Sequence, residues 1–338
     1  MDSACYSCSR RLFINGFGAF AAVGLAGCAA AHRRERPVVR FGIVTDCHYA
    51  KIPYAKRKYP VGDAAYSESA AKLAEFVAVM NREKPDFAIE LGDFKDMGPD
   101  KESTIGYLEE IERVFAGFDG PRYHVAGNHD FDCLTREEFF SRIPNAGQIS
   151  RTGYYSFFRN GVKFVVLNAC FDSAMKPYDR NNPWDDANVP PEELEWLEGE
   201  LQAAPERVVV FCHQCLTSAF EPQHVVKNAA QVRAILEKSG KVKAVFTGHQ
   251  HSGLIDIAGG ITYYSLRALV LNSGVEENAY ALAEMYSSGE IRVTGYRKAP
   301  TAILYKDPAA ALAARSDAAE SCKSVVRTRE CAGLGLLG

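Results

Sequence analysis

Residues 85–96 read Pro-Asp-Phe-Ala-Ile-Glu-Leu-Gly-Asp-Phe-Lys-Asp, PDFAIELGDFKD. The largely apolar run from Phe87 to Leu91 is bounded by Pro85 and Gly92, and so short a run between breakers makes a buried strand rather than a helix. The strand ends on Asp93, with Asp96 three residues on. It therefore carries a carboxylate to the carboxyl edge of a sheet, where open α/β sheets bind ligands. A Gly-Asp after one strand is usually only a turn, so the neighbouring strands decide.

Before it, the β-branched run 38–45 ends in Asp46-Cys47-His48. Side chains two apart leave a strand end on the same side, so this carboxylate and imidazole can share one ion. Between the two runs, Ala70, Leu73, Ala74, Val77 and Met80 have helical spacing, which makes the order strand, helix, strand. After it, a helix over 101–115 presents Ile105, Leu108, Ile111 and Phe115 inward, and a strand over 122–126 closes on Gly127-Asn128-His129-Asp130.

Asn160-Gly161 between the runs 154–158 and 162–167 signals a tight hairpin, adding antiparallel strands to the parallel ones. Residues 168–190 are rich in Asp, Asn and Pro and read as a long irregular loop containing Tyr178 and Trp184. A helix over 191–202 leads to a strand over 208–211 ending Cys212-His213-Gln214. Another helix, over 228–238, leads to a strand over 242–246 followed by Gly248-His249-Gln250-His251. Hairpins about Gly259-Gly260 and Ser287-Ser288-Gly289 are expected to complete a second sheet. An Ala-rich tail begins at Ala299, with a helix expected over 308–319.

The chain has 338 residues, 47% hydrophobic and 24% charged, enough for one large core or two smaller ones. A net charge of -3 argues against a nucleic-acid partner, which needs a basic face. The uncharged apolar stretch 12–28 follows Arg10-Arg11 and ends Leu25-Ala26-Gly27-Cys28. It resembles a twin-arginine export signal with a lipobox, in which Cys28 would be lipidated. That implies a cell-envelope protein anchored to a membrane by acyl chains, with Arg33, Arg34, Arg36 and Pro37 in a tether over 29–37. Of ten cysteines, two would leave with the leader and one take lipid, so seven remain and at least one is unpaired. Cys322 and Cys331 form the pair in a plausible local loop.

Five strand ends thus carry Asp46/His48, Asp93, Asn128/His129, His213 and His249/His251. His32, His124 and His224 fall outside them and read as leader, core or surface residues. The ordered series DCH, GDFKD, GNHD, the His of CHQ, and GHQH resembles the calcineurin-like metallophosphoesterases over 39–296. Within them, the opening FGIVTDCHYA, the hairpin YYSFFRNGVKFVVLNA and the helix EELEWLEGEL look most like the ADP-ribose/CDP-alcohol diphosphatases. His48 departs from that group, which commonly has Gln there, and this bears on a nucleotide-diphosphate preference.

The resemblance implies a four-layer α/β/β/α sandwich of two mixed sheets over residues 38–298, with 299–338 as a tail. It implies one metal on Asp46, His48, Asp93 and His251, and a second on Asp93, Asn128, His213 and His249, Asp93 bridging. Such mixed O/N donors suit Mn, Fe or Zn. It implies that a metal-bridging hydroxide attacks phosphorus in line, that His129 protonates the leaving alkoxide, and that Asp96 orients His129. Asp130 reads as structural, and Cys47 and Cys212 as packing. Tyr49, Tyr54, Tyr178 and Trp184 could stack a base, although aromatic residues in such loops more often pack. The expected substrate is a small phosphate ester or a nucleotide; the alternatives are a phosphodiesterase or nuclease on larger esters, and a non-catalytic lipoprotein that binds a phosphate ligand.

Overall fold

The computed structural model describes residues 35–52, 58–59, 61–147 and 151–304. The leader with Cys28, Tyr54, Cys322, Cys331 and the helix expected over 308–319 lie outside the described residues. The first half contains β1 (Val39–Val44), β2 (Lys58–Tyr59), β3 (Gly62–Asp63), α1 (Ser69–Glu83), β4 (Phe87–Glu90), α2 (Lys101–Phe115), β5 (Arg122–His124) and α3 (Arg136–Phe140). The second half continues with β6 (Tyr155–Arg159), β7 (Val162–Val166), α4 (Pro191–Gln202), β8 (Val208–Phe211), α5 (Ala229–Ser239) and β9 (Val242–Thr247). The chain then runs through β10 (Leu254–Ala258), β11 (Ile261–Ser265), β12 (Ala279–Met285), β13 (Ile291–Arg297) and β14 (Ala302–Ile303).

Local chemistry sets these boundaries. Asp100 caps α2 by accepting from Ser103 N at 2.7 Å. Pro191 opens α4, where its missing N–H costs nothing. Asn160 and Gly161 both take positive φ, 50° and 78°, as a two-residue hairpin turn requires.

One six-stranded sheet has the order β14-β13-β12-β1-β4-β5 and the other β10-β11-β9-β8-β7-β6. Both are mixed: β1 runs parallel to β4 and antiparallel to β12, while β8 runs parallel to β7 and β9, and β6 antiparallel to β7. The facing surfaces interdigitate through Phe41, Phe87, Phe164, Phe211 and Phe246. Phe41 meets Phe164, Phe211 and Phe246 edge-on with centroids 5.5, 5.8 and 5.6 Å apart. On the outer face of the first sheet, Leu73, Phe76 and Met80 of α1 and Leu108 and Ile111 of α2 pack on Val44, Ala88 and Leu282. On the outer face of the second, Leu197 and Leu201 of α4 and Val232 and Leu236 of α5 pack on Val208, Val210 and Val245. The four layers expected from the sequence are present.

Two expectations change. The hairpins at Gly259-Gly260 and 287–289 do not share a sheet: β10–β11 extends the second, whereas β12–β13 joins the first beside β1. Hairpin signals fix local pairing but not which edge a hairpin joins. The domain also runs past residue 298. Strand β14 pairs with β13, and Ala299 and Leu304 are buried between the sheets, with Thr262 Oγ1 donating to Leu304 O. The irregular loop over 168–190 is as expected, free of helix and strand.

Candidate active site

The ends of β1, β4, β8 and β9 and the turn after β5 converge at one edge. Asp46, His48, Asp93 and His249 follow their strands with positive φ, 51°, 44°, 55° and 64°. For non-glycine residues such backbone costs about 1–3 kcal/mol each and survives only where surroundings enforce it. The enforcement is visible. Asp46 N donates to Gly92 O at 3.0 Å, His48 N to Asp93 O at 2.8 Å, and His249 N to Asp46 Oδ2 at 3.1 Å. The approach is so close that a Cβ on Gly92 would lie 2.6 Å from His213 Nδ1, and one on Gly127 2.2 Å from Asp93 N. The motif glycines are needed for the chain to pass.

Two groups of donors form. In the first, His251 Nε2 lies 3.3 Å from Asp46 Oδ1 and 3.2 Å from His48 Nε2. In the second, Asp93, His213 and His249 converge, with His213 Nε2 3.1 Å from Asp93 Oδ2. His48 Nε2 is 3.5 Å from the same Asp93 oxygen, so Asp93 stands between the groups. Asn128 is buried nearby.

The polar atoms themselves test whether metal fits. Asp93 Oδ2, His213 Nε2, His249 Nε2 and both amide atoms of Asn128 are buried without a hydrogen-bond partner. Leaving such groups unsatisfied costs free energy, and a cation bound among them would satisfy Asp93 Oδ2, the two imidazole nitrogens and Asn128 Oδ1, the amide nitrogen being a donor. The other ring nitrogens are already committed: His213 Nδ1 donates to Leu91 O at 2.7 Å and His48 Nδ1 to Asp96 Oδ2 at 3.3 Å. These bonds aim Nε2 of both rings into the site. Burial opposes ionisation of Asp93, but the charges of His213 and His129 outweigh it and hold the carboxyl well below its usual range. Burial together with the His213 charge pushes His249 well down, leaving a neutral imidazole able to ligate.

His129 begins the short 3-10 turn His129–Phe131. Here a second carboxylate joins the expected one. His129 Nδ1 donates to Asp132 Oδ2 at 2.6 Å, while Asp96 Oδ2 accepts from His48 Nδ1 at 3.3 Å and lies within 4.8 Å of His129 and Asp132. The turn brings the residue three positions on under the imidazole, while Asp96 N donates to Tyr49 O at 3.0 Å and places Asp96 beside β1's end. Buried Lys95 clamps the turn, donating from Nζ to His129 O at 2.5 Å and Asp132 O at 2.9 Å. Asp130 is structural, as read: it accepts from Asp93 N, Phe94 N and Gly127 N at 3.1, 2.9 and 2.8 Å, tying two motifs together.

A cavity of about 340 Å³ opens over these groups, and Asp93, His129, His249 and His251 line it. Trp184 and His224 line it too, although only loop folding places them there. Tyr49 and Tyr178 are buried in the core, as are Cys47 and Cys212. Cys133 and Cys170 are also free thiols.

The sequence profile of the calcineurin-like phosphoesterases matches residues 39–253, well over half the chain. The chain belongs to the calcineurin-like phosphoesterases. As such it is a metal-dependent hydrolase of phosphoric esters, and the donors above are a site for two divalent transition-metal ions. This phosphoesterase is 28% identical over 320 residues to a manganese-dependent ADP-ribose/CDP-alcohol diphosphatase of Oryza sativa subsp. japonica, covering 83% of this chain and 98% of the relative. It is 26% identical over 185 residues to a 3',5'-cyclic-nucleotide phosphodiesterase of Nostoc, covering 52% and 61%. Among solved structures, a dimetal phosphatase from Danio rerio superposes with TM-score 0.72 at 20% identity, over 80% of this phosphoesterase and all of that chain.

Proposed function

We infer that the chain hydrolyses a small phosphate ester or a nucleotide diphosphate outside the cytoplasm, held to a membrane through Cys28. The observation that carries the chemistry is His129 poised beside the donor cluster, 5.0 Å from the His48 ring between centroids, with one ring nitrogen committed to Asp132. A metal pair bound here would supply a nucleophile at neutral pH and neutralise charge on phosphorus. The chain supplies the rest. With Nδ1 donating to Asp132, a protonated His129 keeps its second proton on Nε2, facing the cavity, where it can pass to a departing alkoxide. Burial opposes protonation of His129, but the Asp93 charge and the Asp132 hydrogen bond raise its pKa in the metal-free chain.

The diphosphatase relatives support the small, nucleotide-sized substrate, and a net charge of -3 disfavours a polynucleotide. Arg10-Arg11 and the segment ending in Cys28 support export and anchoring.

The test is hydrolysis by the manganese-loaded full chain of a phosphomonoester, a phosphodiester and ADP-ribose side by side, with His129→Ala as control. Turnover of ADP-ribose that collapses in the variant while both metals stay bound is the expected result. No turnover of any substrate with two metals bound would leave a ligand-binding lipoprotein in place of the enzyme.

A further inference from the structure

The cavity has a second wall that the hydrolytic groups do not use. Trp184 is 42% exposed and lines the cavity. Its centroid lies 5.4 Å from the ring of His224 and 5.8 Å from that of His249. The indole thus begins where the metal donors end.

Its position is built rather than incidental. Tyr178, fully buried, donates from its hydroxyl to Pro183 O at 3.0 Å, anchoring the residue before Trp184. On the other side Asp186 N donates to Pro183 O at 3.3 Å, and buried Asn188 donates to Phe171 O at 3.2 Å, closing the loop on itself. A held, exposed aromatic face is preorganised for stacking. Beside it, His224 Nδ1 and Gln250 Oε1 are buried without hydrogen-bond partners, Glu221 Oε2 lying 3.6 Å from the former. Both residues line the cavity with Trp184. A cavity of about 340 Å³ also exceeds what a bare phosphate needs and falls within the range of small-molecule sites.

We propose that Trp184, with His224 and Gln250, forms a subsite that stacks and hydrogen-bonds the nucleobase of a nucleoside phosphate whose phosphorus sits at the metal donors. This rests on the hydrolytic reading above and names the organic half of its substrate. A planar ring with polar edges uses the indole face and the two orphaned polar atoms together; an alkyl ester uses neither, and a sugar ester brings hydroxyls but no π face to stack.

The experiment measures binding rather than turnover. The full chain loaded with manganese is dialysed to equilibrium against the methylene phosphonate analogues of AMP and of ribose 5-phosphate, which differ only in the base and whose C–P bond resists hydrolysis. Base stacking predicts that the AMP analogue binds at least about tenfold tighter. In Trp184→Leu that advantage is lost, and in Trp184→Phe it is partly kept. With Trp196→Phe removing the other of the two tryptophans, the AMP analogue quenches the Trp184 fluorescence. Equal affinity for the two analogues, or an advantage that survives Trp184→Leu, overturns the subsite. ADP-ribose turnover is scored separately, so turnover without base discrimination sinks only the subsite, and discrimination without turnover sinks only the hydrolytic reading.

Discussion

His129 Nδ1 and Asp132 Oδ2 lie 2.6 Å apart on one turn, and buried Lys95 holds the backbone carbonyl of each. Asp132 is a positioning residue: it fixes which nitrogen of His129 faces the cavity. The Asp132→Asn variant is expected to lose about 10- to 100-fold in kcat on alkyl phosphates, whose leaving groups need a proton. On p-nitrophenyl phosphate, whose leaving group departs unaided, the loss is expected to be only a few-fold. A uniform loss on both substrates would reduce Asp132 to a structural role.

Asp96 hydrogen-bonds His48, so its substitution reads out differently. Asp96→Asn is expected to weaken metal binding about 10- to 100-fold, as loss of a ligand's orienting partner does. Competition with a chelating dye measures this. Unchanged affinity with reduced turnover on poor leaving groups would return Asp96 to His129.

Metal uptake is expected to be pH-dependent. Burial opposes protonation of His213, but Asp93 and Asp46 raise its pKa to about 9, so below that pH a proton occupies the nitrogen that a cation must take. Affinity for manganese therefore rises with pH from 6 to about 9, approaching a tenfold gain per unit for each proton displaced. Isothermal titration in buffers of different ionisation enthalpy counts the protons released. None released at pH 7 would contradict the assignment.

Beneath the site, His124 is buried between two carboxylates, with Nε2 3.2 Å from Glu112 Oε2 and Nδ1 3.6 Å from Glu90 Oε2. Glu90 in turn accepts from Gly92 N at 2.7 Å, at the bend before Asp93. Burial lowers the pKa of His124, but the two carboxylates outweigh it and raise it to about 9. A raised folded pKa means stability fully present below about pH 6.5 and lost as pH climbs through about 9. His124→Ala should cost about 3–5 kcal/mol at pH 6.5, and less at pH 9.5. Chemical denaturation at the two pH values checks this; a gap that widens with pH would show the imidazole to be neutral in the folded state.

Cys28→Ser is expected to move the protein from the detergent phase to the aqueous phase in Triton X-114 partitioning. Labelled palmitate should no longer be incorporated. Equal partitioning of both forms would remove the lipid anchor from the proposal.

The residues that the sequence brought into view are those where an apolar strand stops at a glycine or a polar run. Asp46, Asp93, His213 and His249 were legible because strand termination and side-chain direction are local events. What escaped notice depends on irregular backbone. Asp132 lies three residues past His129, a spacing that a short turn would bring together, but Asp96 competed for the same role and only the fold separates them. Trp184 stands among the loop aromatics that could stack a base, but its approach to His249, and that of His224 from the turn Pro222–His224, follow no period that a sequence shows. Strand β14 was hidden because two residues carry no alternation.

His48 and His251 face each other at 3.2 Å across 203 positions of sequence. The donors come from both sheets, so neither group is complete until both sheets have folded together. A polypeptide that stops short of residue 251 lacks a donor of the first group, however well the rest of it folds.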